Sequence, residues 1–256
     1  MKHFWLASWT LCERELVRFL RQRSRVIGAF LPPVVFWLLI GSGLAHSFRG
    51  ANYLQYFFPG TIVLIILFTA IFSTISIIED RHAGFLQSAL VAPLSRVTIV
   101  TGKVGGAALL ALIHALPFLL LAPLASLSIP VAEWIPVLLL LTALSVGQAG
   151  LGFLMAWRLD SSQGFHAIMN LFLIPMWLLS GALFPPSGAA TWIRIVMRLN
   201  PLTYGVLGLQ ECFYADGSPL GHGTVSFGAC LAVSAGFAGL TLIASILSAS
   251  GHEGTV

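Results

Sequence analysis

Few side chains in this sequence could do chemistry, and they are widely spaced. His114 sits inside one apolar stretch; in another, His166 and Asn170 lie one turn apart and Trp177 two turns further on. An ionisable group at membrane depth is costly and by default suggests function, here a proton-coupled carrier. The plain alternative is a neutral imidazole hydrogen-bonded within the helices. Cys12, Cys212 and Cys230 show no CxxC spacing, so neither a disulfide framework nor a zinc site is suggested, and they read as small apolar residues. HExxH, GxSxG and a pair of carboxylates deep in an apolar segment are all missing. Gly102-Lys103 is a lone GK, because Val104 follows it and Val97 stands where the first glycine of a phosphate cradle belongs. No metal, no bound cofactor, no nucleic-acid partner and no enzymatic activity of the chain's own are expected. If its work is powered, nucleotide is hydrolysed on another subunit.

The elements that must position these residues follow from composition. Of 256 residues, 57% are hydrophobic and only 9% are charged, against roughly 25% charged in soluble domains. The mean hydropathy is +0.93. A water-soluble domain of this size is excluded, and an all-α integral membrane protein is expected. A spanning helix needs about 20 mostly apolar residues. Six segments qualify: Val26 to Ala45, Phe57 to Ile78, Val104 to Ser128, Ile135 to Trp157, Phe165 to Phe184 and Thr224 to Ala249. A seventh stretch, Trp192 to Tyr214, carries Arg194, Arg198, Pro201 and Glu211 and reads as non-spanning. With a cytoplasmic N-terminus, ten basic residues fall inside and three outside, so both termini are expected in the cytoplasm. The chain reads as one membrane domain over 1–256, with a cytoplasmic interfacial helix at 1–25, spans within 26–249, a cytoplasmic loop at 79–103 and an extracytoplasmic segment at 185–223. Arginines precede the first long apolar run, which is not the order of a signal peptide.

Residues 4 to 25 read as an amphipathic helix. Trp5, Trp9, Cys12, Leu16, Phe19 and Leu20 recur at spacings of three and four, with Arg14, Arg18, Arg21 and Arg25 on another face. Such a helix is expected to lie among lipid headgroups with its basic groups near anionic lipid. Thr69, Ser73 and Ser76 share one face of the second span. They either bond their own backbone carbonyls or line a subunit interface or polar route. Ala107, Ala111 and Ala115 in the third span and Gly228, Ala232 and Gly236 in the sixth form small-residue packing faces.

Two connecting stretches stand out. The loop from Glu79 to Lys103 opens with Glu79-Asp80-Arg81-His82. A short helix follows over Gly84 to Leu90, with Phe85, Leu86, Ala89 and Leu90 on one side, and Pro93 stops it. Arg96 and Lys103 bracket the return to the bilayer. A short amphipathic helix here suits docking of another protein; the plain reading is a solvated turn. Beyond the fifth span, Trp192, Ile195, Val196 and Leu199 form an apolar stripe that Asn200-Pro201 breaks, and Leu202 to Phe213 follows as another helix. Two short re-entrant helices before the last span fit this pattern, because irregular backbone at membrane depth needs protein around it.

Taken together, these residues resemble the membrane subunit of ABC-2 type exporters, the drug, lipo-oligosaccharide and polysaccharide-export group. The resemblance rests on Tyr53-Leu54-Gln55-Tyr56-Phe57-Phe58-Pro59-Gly60; on Glu79, Arg81, Gly84, Leu90, Ala92-Pro93, Ser95-Arg96 and Gly102-Lys103; and on Ser180-Gly181, Phe184-Pro185 and Asn200-Pro201-Leu202-Thr203-Tyr204. Gln210 departs from it, since many relatives carry Arg there. The resemblance implies a permease in the inner (plasma) membrane, paired as a homodimer or with a similar chain. Two copies of a separate ABC ATPase, which bind the ATP and Mg, would power it. It also implies coupling to that ATPase through the N-terminal helix and Glu79, Arg81, Gly84, Phe85, Leu86, Leu90, Pro93 and Arg96. Thr69, Ser73, Ser76, Asn170 and Trp177 would line the route or the dimer interface, and Asn200, Pro201 and Tyr204 would belong to the re-entrant segment. A membrane scaffold or assembly factor of the same fold that moves no substrate is the alternative.

Overall fold

The computed structural model describes residues 2–44, 53–86, 94–214 and 225–250. All regular structure among them is helical. The first helix α1 (Lys2–Arg21) breaks at Gln22 into α2 (Arg23–Gly43), and α3 (Tyr53–Ser73) turns through Thr74 and Ile75 into the short α4 (Ser76–His82). Then come α5 (Arg96–Leu119), α6 (Trp134–Arg158), α7 (Ser162–Trp177), α8 (Thr191–Leu199), α9 (Pro201–Phe213) and α10 (Phe227–Ser250). Among the described residues, six helices are long and apolar enough to cross a membrane: Arg23–Gly43, Tyr53–His82, Arg96–Leu119, Val131–Arg158, Ser162–Ala182 and Phe227–Ser250. They match the six expected spans. The stretch around Asn200-Pro201 is two short helices, as its broken pattern predicts.

The second span is the core of the bundle. Its most apolar window is 89% buried within the chain, against 22% for the first span and 28% for the last. The cause is its sequence: Tyr53–Ser73 holds no charge and is apolar all round, and such a helix gains most by packing on every side. Phe57, Phe58, Ile62, Ile65, Ile66 and Ile71 are fully enclosed.

Span ends differ from the sequence expectation where caps and turns intervene. The third span begins at Arg96, because the Ser95 hydroxyl accepts the Thr98 amide at 3.2 Å and starts the helix early. It ends at Leu119, and the chain then tightens into a 3₁₀ turn at Ala122–Ala125. The fifth span loses α-helical geometry at Leu178–Ala182, where Gly181 has φ +83°. In α5, Ala107, Ala111 and Ala115 are buried. In α10, however, Gly228, Ala232 and Gly236 point outward, and Cys230, Ser234, Ala238, Thr241 and Ser245 make the buried face. The sequence holds two small-residue stripes on this helix, and the polar members Ser234, Thr241 and Ser245 went inward.

Candidate functional site

α1 lies along the first half of α5, and two glycines permit the approach. A Cβ at Gly102 would come within 2.7 Å of Leu11 Cβ and 2.9 Å of the Ser8 carbonyl oxygen; one at Gly106 would meet Glu15 Cβ at 2.9 Å. Ser8 Oγ shares a hydrogen bond with Thr101 Oγ1 at 3.0 Å, and the Phe19 ring meets His114 edge-on at 5.5 Å. The apolar stripe read in α1 is therefore divided. Cys12 and Phe19 are buried, whereas Trp5, Trp9 and Leu20 face outward at 70%, 59% and 46% exposure.

This docking brings the basic face of α1 onto α4. Arg14 makes a two-pronged pair with Asp80, with both bonds at 2.8 Å. Arg18 bridges Asp80 at 2.7 Å and Glu79 at 2.6 Å, and Arg25 also pairs with Glu79. From α5, Lys103 Nζ donates to Glu15 at 2.6 Å and also pairs with Asp80. The side chains of Asp80, Lys103 and Glu15 are 1%, 3% and 6% exposed. Charges so deeply buried persist only when paired, and here each has at least two partners. The Arg14 guanidinium also sits 3.6 Å over the Phe85 ring. Its hydrogen bond to Asp80 holds its pKa above the ordinary arginine value against the opposing effect of burial. Burial, helped by Glu15, pushes the Cys12 thiol up as well.

The far side of α4 is tied to the end of the fourth span and the turn that follows it. Arg81 donates to the Trp157 carbonyl at 2.6 Å, the Leu159 carbonyl at 3.1 Å and Asp160 at 2.7 Å. His82 Nε2 lies 2.7 Å from the Asp160 carbonyl. The last carbonyls of a helix have no partner within it, and a cation there also meets the negative end of the helix dipole. Arg81 supplies both needs for α6. Gly84, at φ +74°, then ends α4, a backbone state that glycine adopts without strain.

The residues expected to meet a partner are thus engaged within the chain. Glu79 belongs to the ion cluster, Arg81 closes α6, Phe85 lies under Arg14, Leu86 is buried and Arg96 donates to the Ala249 carbonyl. Leu90 and Pro93 lie outside the described residues. The residues expected along a route are dispersed. Ser73 Oγ donates to the Ala70 carbonyl at 2.8 Å, while the buried Thr69 hydroxyl has no hydrogen-bond partner among the described residues. Ser76 lies 3.5 Å from Lys103 Nζ, Asn170 is exposed, and Trp177 is buried with Nε1 donating to the Gly60 carbonyl at 2.8 Å. An apolar crevice of about 440 Å³, lined by Met155, Met169, Phe172, Leu173, Met176 and Leu199 among others, touches none of these five. His114 Nδ1 lies 2.8 Å from the Leu110 carbonyl of its own helix. His166 is exposed beside Phe72, so the two histidines sit in different surroundings.

At the opposite end of the bundle, motif pieces far apart in sequence meet. Asn200 Nδ2 donates to the Met176 and Leu179 carbonyls at 2.5 and 3.1 Å, and its Oδ1 accepts the Leu202 amide at 3.0 Å. Pro201 opens α9, and Tyr204 donates to the Arg198 carbonyl at 2.9 Å. Tyr53 and Tyr56 reach the Leu183 and Gly181 carbonyls at 2.7 and 2.6 Å. The Met176, Leu179, Gly181 and Leu183 carbonyls lie in or beside the irregular turn that ends the fifth span, and the Arg198 carbonyl lies in the last turn of α8.

Sequence reasoning did not pick out Arg14, Glu15, Arg18, Asp80 and Lys103 as one cluster. A usable signal was present: in a chain with only nine acidic residues, three of them stand beside a basic helix or a membrane edge and must find cations.

A family model described as ABC-2 type transporter matches residues 7–214. A protein of Cyanophora paradoxa named "Putative transport permease ycf38" is 28% identical over 205 residues, covering 77% of this chain and 71% of that one. A protein of the same name from Porphyra purpurea is 25% identical over 212 residues, with 79% and 72% covered.

Proposed function

This chain belongs to the ABC-2 type transporter family, and from that premise we propose that it is the membrane-spanning permease of an ATP-driven exporter. Two such chains pair to form the path, and each docks a separate ATPase subunit that holds the ATP and Mg. The complex sits in a bacterial inner membrane with both termini in the cytoplasm. The observation that carries this reading is the buried ion cluster at the base of the Glu79–Lys103 loop. It binds α1, α4 and α5 into one body through Asp80 and Lys103, and Arg81 ties the same body to the end of α6. A displacement applied to the loop then reaches the first three spans through the cluster and the end of the fourth through Arg81. Glu79, Arg81 and Phe85 act as positioning residues that hold the loop for its partner. The re-entrant reading of α8 and α9 is retained, with Asn200 closing the irregular turn before them.

The test is purification of the tagged chain in mild detergent from its own host. A Walker-motif ATPase is expected to co-elute in stoichiometric amount, with hydrolysis by the complex and none by the chain alone. Phe85→Asp is expected to weaken that association while the spans stay folded. A chain that elutes without an ATPase across several gentle detergents overturns the proposal. A complex that forms and hydrolyses but moves no substrate makes it a scaffold.

A further inference from the structure

The apolar crevice of about 440 Å³ runs along the fifth span, between Leu151 and Met155 of α6, Met169, Leu173 and Met176 of α7, and Val196 of α8. It follows the span from Met169, near the middle, to Leu179 in the irregular turn, ten positions further on. At ~1.5 Å per residue this is roughly 15 Å, the depth of one leaflet in a hydrocarbon core about 30 Å thick. Its side is open, since Phe172 and Leu199 in the wall are 59% and 80% exposed. Among the described residues the one polar side chain in the wall is Asn200, and its amide is spent on the Met176 and Leu179 carbonyls and the Leu202 amide. Three of the chain's five methionines stand in the wall, and thioether side chains adapt to a bending guest. Two arginines mark the end at the irregular turn. Arg194 and Arg198 lie one turn apart on α8, both exposed. Arg194 donates to the Thr191 hydroxyl at 3.2 Å, and neither arginine has an ion-pair partner among the described residues. Glu133 and Glu211, the described acids at that end of the bundle, pair with neither.

From this juxtaposition we propose that the crevice is a binding site for one acyl chain of an anionic phospholipid, drawn from the leaflet at the end of the bundle opposite the ion cluster, with its headgroup on Arg194 and Arg198. The wall without a free polar side chain selects a hydrocarbon guest, because a polar one would lose its hydrogen bonds there. The length selects a chain from a single leaflet. The unpaired guanidiniums select a negative headgroup and hold it by two-pronged hydrogen bonds to phosphate, and their apolar stems let the charged ends rise toward the headgroup level. A helix of a second copy, 10–12 Å across with its side chains, is too thick for a recess of this volume. The site depends neither on transport nor on which way the chain faces.

The test reconstitutes the chain in nanodiscs of equimolar phosphatidylglycerol and phosphatidylcholine. A trace of one lipid or the other carries a diazirine on one acyl chain, and the adducts are mapped by mass spectrometry after illumination. The segments holding Met155 and Met169 are expected to label more strongly with the phosphatidylglycerol probe than with the phosphatidylcholine probe. Leu240 and Ile243 of α10, exposed at 66% and 60%, report ordinary lipid contact and are expected to label equally with both. Arg194→Gln/Arg198→Gln is expected to reduce the preference at the crevice on the order of tenfold, and Arg194→Lys/Arg198→Lys to keep most of it. Val196→Trp closes the crevice from a position already 38% exposed, and labelling of Met155 and Met169 is expected to fall to the level of the α10 face. Unchanged labelling of α10 shows that each variant keeps its fold. A crevice that labels equally with both probes, a preference that survives the glutamine variant, or labelling that ignores Val196→Trp overturns the proposal. Crosslinks between two copies at Phe172, with no lipid adducts in the crevice, overturn it in favour of a second chain.

Discussion

Asp80 is the keystone of the ion cluster, and its removal makes a sharp test. The Asp80→Asn variant keeps the shape and removes one negative charge, so four cations then face only Glu15 and Glu79. The side chains of Lys103 and Asp80 are 3% and 1% exposed, so water cannot stand in for the lost carboxylate at Lys103. Removing one partner of a buried pair costs about 3–5 kcal/mol. Arg14 and Arg18 are about a third exposed and can relax toward solvent, which favours the low end, ~3 kcal/mol. Lys103→Met is the control: it leaves three cations against three anions and fills similar volume, so its cost is about 1 kcal/mol or less. Cys12 supplies the assay. It is buried where α1 meets α5, and its raised thiol pKa keeps it protonated and unreactive at neutral pH. In a chain whose other cysteines are replaced by serine, alkylation of Cys12 reports the opening of α1. The Asp80→Asn rate is expected to rise on the order of a hundredfold at ~3 kcal/mol, and the Lys103→Met rate by less than about tenfold. Adding Lys103→Met to Asp80→Asn is expected to recover part of the loss, because it removes the stranded cation. An Asp80→Asn rate within about twofold of the unaltered chain, or a Lys103→Met effect as large as that of Asp80→Asn, would refute the assignment of Asp80 as keystone.

Two further outcomes follow from other contacts. Arg81→Gln leaves the Trp157 and Leu159 carbonyls without their charged donor, at about 1.5–3 kcal/mol. Amide exchange should accelerate at the end of α6 and the start of α7 while α3 stays protected, whereas Asp160→Asn, at a side chain 89% exposed, should change little. Asn200→Asp replaces the one nitrogen that donates to two carbonyls with an acceptor oxygen, so a loss of at least about 2 kcal/mol is expected in thermal unfolding. An unchanged midpoint would mean that the turn ending the fifth span does not depend on Asn200.

The six spans were legible because hydropathy is a property of contiguous residues, and lipid imposes the same length on each. The break at Asn200-Pro201 was legible for the same local reason, whereas the loss of helix near Gly181 was not, since the fifth span read as continuing to Phe184. Partner choice was not. The arginines of α1 fell on one helical face, and headgroups were a sufficient destination for all of them until folding placed Glu79 and Asp80 beneath them. Trp177 was a candidate for a route, and the Gly60 carbonyl took its indole N–H instead. Both stripes of α10 were consistent with packing, and the bundle buried the one with hydroxyls. Sequence alone determined that this chain lives in a bilayer, how many times it crosses and which side is basic, since each follows from transfer free energies summed along a segment. Only the tertiary structure decided which charges neutralise one another, because a buried ion pair depends on distance between side chains that sit 23 to 88 positions apart, and no local pattern carries that distance.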